Sequence, residues 1–212
     1  MNLKQISVGN MANYSYLIFD EETTAAVIVD PAFDPQRILT ELASVQSRCA
    51  APPKPLIILT HHHFDHINCS NEIASETGAA IAAHPETADL VADTISVNIM
   101  FRDNDELPVG NGQIKVLHTP GHAPGSICLI VDNRWIVTGD TLFVGDCGRT
   151  DLSGSDPRVM FESLQRLRKL DDSLIVMPGH NYGASPSSTL GQEKTQNPAL
   201  AARTWEEFCA VP

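Results

Sequence analysis

Residues 56–66 of the chain read LIILTHHHFDH, an apolar run followed at once by a segment with four histidines and an aspartate. Alternate residues leaving a strand point the same way, so His61 and His63 can share one side while His62 turns away. Asp65 and His66 then open the next helix, with their side chains at its N-terminus. So many imidazole and carboxylate groups would be unfavourable as a simple surface feature, whereas a divalent metal ion makes such a cluster favourable. The HxHxDH spacing therefore predicts a metal site at a strand-to-helix junction.

Three later segments also place a polar side chain directly after an apolar run. They read HTPGH at 118–122, TGD at 138–140 and MPGH at 177–180, and a glycine before each candidate ligand lets the backbone bend tightly and approach a site closely. The candidate ligands are five histidines and two aspartates, namely His61, His63, Asp65, His66, His122, Asp140 and His180. Seven ligands are enough for two adjoining metal sites. Histidine and carboxylate ligands without cysteine are typical of sites that activate water, which favours hydrolytic or oxygen chemistry over a structural metal.

Short β-branched runs alternate with helical patterns along the chain, which predicts an α/β sandwich. The predicted strands are Tyr14–Phe19, Ala25–Asp30, Leu56–Thr60, Ala79–Ala83, Ile114–Thr119, Ser126–Val131, Trp135–Thr138 and Leu174–Met177. The predicted helices are Pro35–Val45, Ile67–Thr77 and Asp156–Leu170, the last with Asp156 as N-cap and Pro157 at its first position. Residues 1–212 are interpreted as one domain, with a surface loop at Asn181–Gly191 and a short C-terminal extension over about 181–212.

Composition excludes several classes of protein. The chain has 212 residues, 42% of them hydrophobic and 19% charged, which is typical of a globular protein. A formal net charge of −12 argues against binding to nucleic acid or to an anionic membrane. No signal segment or membrane span is apparent, so a soluble cytoplasmic protein is expected. Five widely spaced cysteines without a CxxC pair argue against a disulfide framework or a thiolate zinc site.

The four motifs HxHxDH, TPGH, TGD and PGH, in that order, resemble the metallo-β-lactamase superfamily over essentially the whole chain. The resemblance implies an αββα sandwich with the ligands on loops along one edge. It assigns His61, His63 and His122 to a first metal ion and Asp65, His66 and His180 to a second, with Asp140 bridging the two. Asp30, in the VDP that ends the second predicted strand, matches an acidic position that orients the site.

Two branches of the superfamily share these motifs. THHHFDH and the run GDTLFV at 139–144, followed by Cys147-Gly148, are similar to glyoxalase II, which hydrolyses hydroxyacyl-glutathione thioesters. The helical C-terminal domain of that enzyme is not expected here. CGRTD at 147–151 and the pattern of the tail from His180 to Pro198 instead resemble the persulfide dioxygenases. In those enzymes the residues matching His61, His122 and Asp140 hold a single iron.

The first functional hypothesis is a metal-dependent hydrolase that cleaves a thioester or related ester with a metal-bound hydroxide. It requires two divalent metal ions, with zinc as the first choice and iron or manganese as alternatives. Asp65 could both bind the second ion and receive the proton of the water. The alternative is a mononuclear iron enzyme that oxidises glutathione persulfide, and a third hypothesis is a metal-binding regulatory module without catalysis.

The expected substrate is a small thioester or thiol-derived molecule, with a glutathione conjugate as one candidate. Arg149 is the predicted contact for an anionic substrate because a guanidinium binds carboxylates in a forked geometry, the alternative being a buried ion pair with Asp151 or Asp156. Tyr182 could hydrogen-bond the substrate or simply pack. Trp205 and Phe208 could cover a homodimer surface, or pack on their own domain. The remaining histidines, His62, His84 and His118, are interpreted as structural.

Overall fold

Two six-stranded β-sheets face each other in the computed structural model, which describes residues 1–211. The first sheet has the strands β1 (Asn2–Val8), β2 (Asn13–Phe19), β3 (Ala26–Val29), β4 (Leu56–Ile58), β5 (Ala80–Ala83) and β6 (Ile99–Met100), in that order. The second has β7 (Glu106–Val109), β8 (Gly112–His118), β9 (Ile127–Val131), β10 (Trp135–Gly139), β11 (Ile175–Pro178) and β12 (Ser188–Thr189), again in chain order. β3 to β6 are parallel, as are β10 and β11, and the other neighbours are antiparallel.

Eight helices connect the strands or follow the last one in the described part of the chain. They are α1 (Pro35–Gln46), α2 (Phe64–Ile67), α3 (Ser70–Thr77), α4 (Pro85–Val91), α5 (Pro157–Leu167), α6 (Leu190–Gln196), α7 (Pro198–Ala201) and α8 (Trp205–Cys209). The side chains of Asp34 and Asp156 accept hydrogen bonds from backbone amides in the first turns of α1 and α5. Each of these two helices has proline directly after its cap, where the missing N–H costs nothing.

Three layers of buried side chains hold the sheets and helices together. Strand β2 is buried on both faces: Tyr16 and Ile18 belong to the core between the two sheets, and Leu17 and Phe19 to the core beneath α1 and α3. A third core lies on the other side of the second sheet, where Leu164 and its neighbours on α5 pack. The order helix, sheet, sheet, helix confirms the predicted αββα sandwich.

The predicted elements are found with small differences at their ends. All eight predicted strands are present within two residues of the expected bounds, and Asp156 is the N-cap of α5 as predicted, although that helix ends at Leu167. The single helix predicted over 67–77 is wrong, because α2 ends before α3 begins. Asn68 accepts a hydrogen bond from the Phe33 amide, and the Cys69 amide donates to Pro31, so tertiary partners interrupt the helix there.

The C-terminal part of the chain has more structure than its composition indicates. The loop predicted over 181–191 is wrong from residue 188 onward, where β12 joins the second sheet and α6 begins with a capping box at Thr189. On α8, Trp205 and Phe208 lie against Phe161 of α5, with ring centroids 6.1 and 5.7 Å away. Of the two alternatives for these aromatic residues, the structure has the one in which they pack on their own domain. Pro212, the last residue of the predicted domain, lies outside the described residues.

The sequence pattern did not predict β1, β6, β7, β12, α4 or α6 to α8. β6 and β12 have two residues each, too few for an alternating pattern to appear. Over residues 1–211, none of the helices is both long and apolar enough to cross a membrane.

Candidate metal centre

The seven predicted ligands come together where strands of both sheets end. The segment from His61 to His66 follows β4, and the other three ligands follow β8, β10 and β11. Six of them form two clusters, each with all its potential ligand atoms within 4.8 Å of one another. The first group contains His61, His63 and His122, and the second contains Asp65, His66 and His180.

The first group is built from three imidazole rings at steep angles to one another. Nδ1 of His63 lies 2.9 Å from Nε2 of His122. The ring of His61 is 4.8 Å from that of His63 and 5.2 Å from that of His122, in edge-on arrangements. Three nitrogens therefore converge on one small volume.

The second group combines two imidazoles with a carboxylate. Nε2 of His66 lies 3.1 Å from Nε2 of His180. Oδ2 of Asp65 is 3.4 Å from the His180 nitrogen and 3.7 Å from the His66 nitrogen. Two nitrogens and an oxygen therefore face one another.

The carboxylate of Asp140 lies between the two groups. Oδ2 is 3.6 Å from Nε2 of His122 in the first group and 3.3 Å from Nε2 of His180 in the second. Oδ1 is 3.4 Å from Nε2 of His66. The side chain is buried. This position suits a ligand shared by two adjoining ions.

A buried carboxylate, Asp30, orients one histidine in each group. It is 2% exposed and accepts hydrogen bonds from the Thr60 amide at 2.7 Å, the Thr60 hydroxyl at 2.6 Å and Nδ1 of His66 at 3.1 Å. The Thr60 hydroxyl, having given its hydrogen to Asp30, accepts from Nδ1 of His61 at 3.0 Å. Both imidazoles therefore carry a proton on Nδ1 and can present the lone pair of Nε2 to an ion.

Asp30, His61 and His66 are also close enough together to be counted as a third possible ligand group. The Asp30 carboxylate is already engaged in hydrogen bonds, directly with Nδ1 of His66 and through the Thr60 hydroxyl with Nδ1 of His61. This arrangement therefore orients the ligands and does not bind metal, in agreement with the role implied by the family resemblance.

Other ligands are oriented by groups that sequence reasoning missed. Nδ1 of His122 donates to the backbone oxygen of Arg149 at 2.9 Å, and Nδ1 of His180 donates to that of Met11 at 3.0 Å. The amide of Asn13, which is buried, donates to Oδ2 of Asp65 at 2.9 Å and to its backbone oxygen at 3.0 Å. Met11 lies in the turn between β1 and β2 and Asn13 is the first residue of β2, so both are far in sequence from every histidine motif, and no sequence signal marks them.

The donor atoms fit metal ions on several grounds. Nε2 of His61 and Oδ1 of Asp140 are buried and have no hydrogen-bond partner among the described residues. A buried polar atom without a partner is costly, and coordination removes that cost. Imidazole and carboxylate are ligands that zinc, iron and manganese all accept. His61, His63 and His122 would hold one ion, Asp65, His66 and His180 a second, and Asp140 would contact both.

The glycine before His180 is required by the tight packing of the centre. A Cβ atom at Gly179 would lie 2.2 Å from Oδ1 of Asp140 and 2.9 Å from Cε1 of His66. Neither group can move without disturbing the ligand arrangement. The interpretation of this glycine as a point of close approach is confirmed.

The two groups differ in charge when no ion is bound. Burial lowers the pKa of His61 and lowers that of His63 to about 4, so these rings are neutral. Burial also opposes the charged form of His180, but Asp140 and Asp65 outweigh it and raise its pKa to about 9. The pKa of His66 is likewise raised, by Asp140 and Asp30 against burial. An ion entering the second group must therefore displace protons.

The predicted substrate contacts lie beside the centre. The ring of Tyr182 stacks on that of His180, with centroids 4.6 Å apart, and is 59% exposed. The guanidinium of Arg149 binds both carboxylate oxygens of Asp151, at 2.6 and 2.7 Å. The alternative prediction of a buried pair is wrong in one respect, because this pair forms at the exposed surface. Tyr182 and Arg149 both line a cavity of about 230 Å³ that reaches His122 and Asp140.

The remaining histidines lie outside both groups. His62 belongs to neither. Nδ1 of His84 accepts a hydrogen bond from the Glu86 amide at the start of α4, and Nε2 of His118 donates to the backbone oxygen of Pro124 at 2.8 Å. The His84 and His118 rings stack with centroids 3.8 Å apart. Their nitrogens could approach an ion together with Glu86, but two of these atoms are already hydrogen-bonded. The structural interpretation of both residues agrees with these contacts.

Comparison with known proteins gives the family. The model of the metallo-beta-lactamase superfamily matches residues 8–180, so the chain belongs to this superfamily of metal-dependent hydrolases. PksB of Bacillus subtilis (strain 168), a probable polyketide biosynthesis zinc-dependent hydrolase, is 31% identical over 179 residues, which cover 84% of this chain and 77% of PksB. Hydroxyacylglutathione hydrolase GloC of Haemophilus influenzae is 29% identical over 222 residues, covering 96% of this chain and 100% of GloC.

A solved structure extends the likeness to the whole chain. The crystal structure of ETHE1 from Myxococcus xanthus superposes with a TM-score of 0.85 at 31% identity, covering 100% of this chain and 92% of ETHE1. These matches confirm the predicted superfamily and fold.

Proposed function

We propose that this protein hydrolyses a thioester or a related ester, of the hydroxyacyl-glutathione type, with two divalent metal ions held in the centre described above. The observation that carries the proposal is the completeness of the second ligand group. Asp65, His66 and His180 each have a fixed orientation, through Asn13, Asp30 and the Met11 carbonyl respectively. Three ligand atoms that converge on one volume, each held by its own hydrogen-bond partner, support the binding of a second ion there. Zinc is the first choice of metal, supported by the name of PksB.

The residues of the chain prepare the centre for this reaction. When bound, the ions activate water and polarise the substrate carbonyl. Asp30 and Thr60 hold His61 and His66 in the tautomer that leaves Nε2 free. Asn13 holds Oδ2 of Asp65, which fixes the carboxylate in the position we propose for receiving the proton of the water. The same carboxylate would serve as ligand and proton acceptor.

The leaving group sets few demands on the protein. A thiol has a pKa near 8.5, so a thiolate departs at neutral pH without a strong acid. Burial raises the pKa of Tyr182, with a smaller contribution from Asp140, so its phenol remains protonated and can donate a hydrogen bond to the substrate. Arg149, which lines the same cavity as Tyr182, is the proposed contact for an anionic group of the substrate, for which it would have to share or leave Asp151.

The proposed setting is the cytoplasm, with a small-molecule substrate and neither nucleic acid nor membrane as partner. All five cysteines are free thiols, and two of them are buried. Free thiols are typical of a reducing compartment. The net charge of −12 supports the exclusion of nucleic acid and anionic lipid.

A second candidate function is sulfur dioxygenation by a single iron held by His61, His122 and Asp140. It is supported by the CGRTD run at 147–151 and by the superposition with ETHE1 over the whole chain. A set of two histidines and one carboxylate is suited to oxygen activation. The second ligand group would then serve only to position the first.

Metal content and activity together test the two functions. Ions per chain are measured by elemental analysis of the protein loaded with zinc, iron or manganese. Cleavage of a hydroxyacyl-glutathione thioester is followed by ultraviolet absorbance, and oxygen uptake is followed with glutathione persulfide. Two ions with thioester cleavage and no oxygen uptake are expected. One iron with oxygen uptake would refute the hydrolase and establish the alternative.

A single substitution separates the two functions further. His180→Gln removes a ligand of the second group and leaves the proposed iron ligands intact. Thioester cleavage is expected to fall at least about 100-fold, whereas a one-iron oxygenase would keep most of its oxygen uptake. His62→Gln is the matched control, since His62 belongs to neither group. Equal cleavage by His180→Gln and the control would contradict the two-metal proposal.

A further inference from the structure

A second cavity adjoins the candidate metal centre on the side of the C-terminal helix. Its volume is about 450 Å³, within the range of sites that hold small organic ligands. Its lining includes an aromatic wall of Trp205 and Phe208 with Val211, together with Asp146, Cys147, Arg149 and Thr150. We name it the C-terminal cavity.

The C-terminal cavity adjoins the smaller cavity over the metal centre. The two share Asp146, Cys147 and Arg149 as lining residues. The smaller cavity reaches His122 and Asp140 at its other end. A molecule whose reactive carbonyl lay at the metal centre could therefore extend past Cys147 into the C-terminal cavity.

The lining of the C-terminal cavity is suited to an apolar group. Trp205 and Phe208 stack on each other at 5.9 Å and pack against Phe161, so this wall is a supported aromatic surface. The thiol of Cys147 stays uncharged, because burial raises its pKa to about 12 with a smaller effect from Asp146. Arg149, the cation in the lining, already has its charge balanced by Asp151 through two hydrogen bonds.

We propose that the C-terminal cavity binds an apolar arm of the substrate, so that the preferred substrates are thioesters with an alkyl or aryl arm of several carbons. The inference rests on the proposed function, whose reacting thioester would occupy the metal centre. The charged lining residues, Asp146 and Arg149, are the ones shared with the smaller cavity, so an anionic group of the substrate is assigned to Arg149 and the apolar arm to the aromatic wall, which offers no partner for the charged groups of a glutathione arm. The arm could belong to the acyl part or to the thiol part of the substrate, since both extend from the same reacting carbon.

Two series of thioesters test the proposal and identify the side of the arm. The first lengthens the acyl chain from two to eight carbons on a fixed small thiol, and the second lengthens an S-alkyl chain on a fixed acetyl group. In one of the two, kcat/KM is expected to rise about fourfold per methylene over the first several carbons, as burial of a methylene predicts. No rise in either series would refute the apolar cavity.

Variants of Trp205 assign the effect to this cavity. Trp205→Ala is expected to reduce the increase to less than about twofold per methylene while cleavage of the acetyl thioester stays within threefold of wild type. Trp205→Phe keeps an aromatic wall and is expected to retain most of the increase. Leu90→Ala, on α4 and 55% exposed, controls for loss of an unrelated apolar side chain. An unchanged increase in Trp205→Ala would refute the assignment.

A binding measurement separates this inference from the proposed function. A thioether analogue with a long alkyl arm cannot be hydrolysed, and it is titrated into wild type and Trp205→Phe while tryptophan fluorescence is recorded. Trp135, the other tryptophan, is buried between the sheets and reports no change at the cavity. A saturable change in fluorescence that occurs in wild type and is absent in Trp205→Phe supports ligand binding in the C-terminal cavity. If that change is seen but no thioester is cleaved, the proposed function is refuted and the cavity is not. Thioester cleavage without any change in the wild-type fluorescence would refute the cavity alone.

Discussion

Replacing Asp30 by asparagine should weaken metal binding in both ligand groups without disturbing the backbone. Asp30 has a positive φ of 50°, a conformation that asparagine tolerates well. The new amide oxygen must accept from the Thr60 amide, because the opposite orientation would set N–H against N–H. The two N–H groups of the new side chain then face the Thr60 hydroxyl and Nδ1 of His66, where a carboxylate oxygen accepted before.

The consequence is a reversal of the hydrogen bonds to the ligands. The Thr60 hydroxyl, now an acceptor from Asn at position 30, turns its hydrogen toward Nδ1 of His61, and Nδ1 of His66 also becomes an acceptor. Both imidazoles must then carry their proton on Nε2, the atom that faces the metal. Loss of such an orienting partner costs about 10- to 100-fold in metal affinity, or roughly 1.4 to 2.8 kcal/mol for each group.

The assay is a competition titration with a chromogenic chelator, together with metal content after dialysis. Asp30→Asn should lose both ions at chelator concentrations that leave wild type loaded. The metal-free protein should also unfold at a lower temperature than metal-free wild type, because the Asp30 charge that helps to raise the pKa of His66 is removed. Asp34→Asn is the matched control, since Asp34 caps α1 and asparagine caps a helix equally well. Affinities within threefold of wild type in Asp30→Asn would refute the proposed tautomers.

Thr60→Val extends the test to one group at a time. The substitution keeps the shape of the side chain and removes the hydroxyl that connects Asp30 to His61, while the contact from Asp30 to His66 stays. Metal affinity should fall in the first group alone. Equal losses in both groups would mean that Asp30 acts through general disturbance of the site and not through separate hydrogen bonds.

Three further outcomes are expected. Gly179→Ala should lower thioester cleavage at least about 100-fold, because the added Cβ would meet Oδ1 of Asp140 at 2.2 Å and displace it. Gly191→Ala, whose nearest new contact is 3.0 Å, is the control. Similar rates of cleavage by the two variants would contradict the tight packing at Gly179. Removal of metal by a chelator should lower the unfolding temperature, measured by scanning fluorimetry, by about 5 to 15 °C relative to protein with metal at 100 to 1,000 times its Kd. Added metal should restore the unfolding temperature. If the temperature did not shift, the ions would contribute nothing to the stability of the fold. Partial burial opposes ionisation of Asp103, but the hydrogen bond from Arg166 outweighs it and lowers the pKa of the Asp103 carboxyl in the folded protein. The pair therefore stabilises the fold at a pH above the pKa that Asp103 has in the unfolded chain, and this stabilisation is lost as the pH falls through its pKa in the folded protein. Chemical unfolding of metal-free protein should therefore show that Asp103→Asn is less stable than wild type at pH 6. The expected difference is under about 1 kcal/mol because the carboxylate is 41% exposed, and it should vanish toward pH 2. A stability difference that grew in acid would contradict this explanation.

The ligand residues could be predicted from the sequence because each lies in a short motif at a strand end. His61, His63 and His66 stand within six positions, and Asp140 and His180 each follow a glycine after an apolar run. Such spacing is a local property of the sequence, so the motif can be recognised without knowledge of the fold. Asp30 was identified in the same way, through the resemblance of its VDP segment.

The groups that orient the ligands could not be predicted, because they act across long distances in the sequence. Asn13 binds Asp65 across 52 positions, and the Met11 carbonyl binds His180 across 169. Arg149 was singled out for its side chain, yet its contribution to the centre is a backbone oxygen, which every residue has. No residue type signals such a role.

The sequence by itself determined the class of fold and singled out the candidate ligands, since strand periodicity and motif spacing are local properties of the chain. Only the tertiary structure decided which nitrogen each histidine presents and which distant groups hold the ligands in place, namely Asn13 and the backbone oxygens of Met11 and Arg149. It also decided that α8 packs on α5 and forms, with Cys147, the wall of the C-terminal cavity. These features depend on which distant strand ends and helices meet, and burial and hydrogen bonding select that arrangement from the folded chain as a whole.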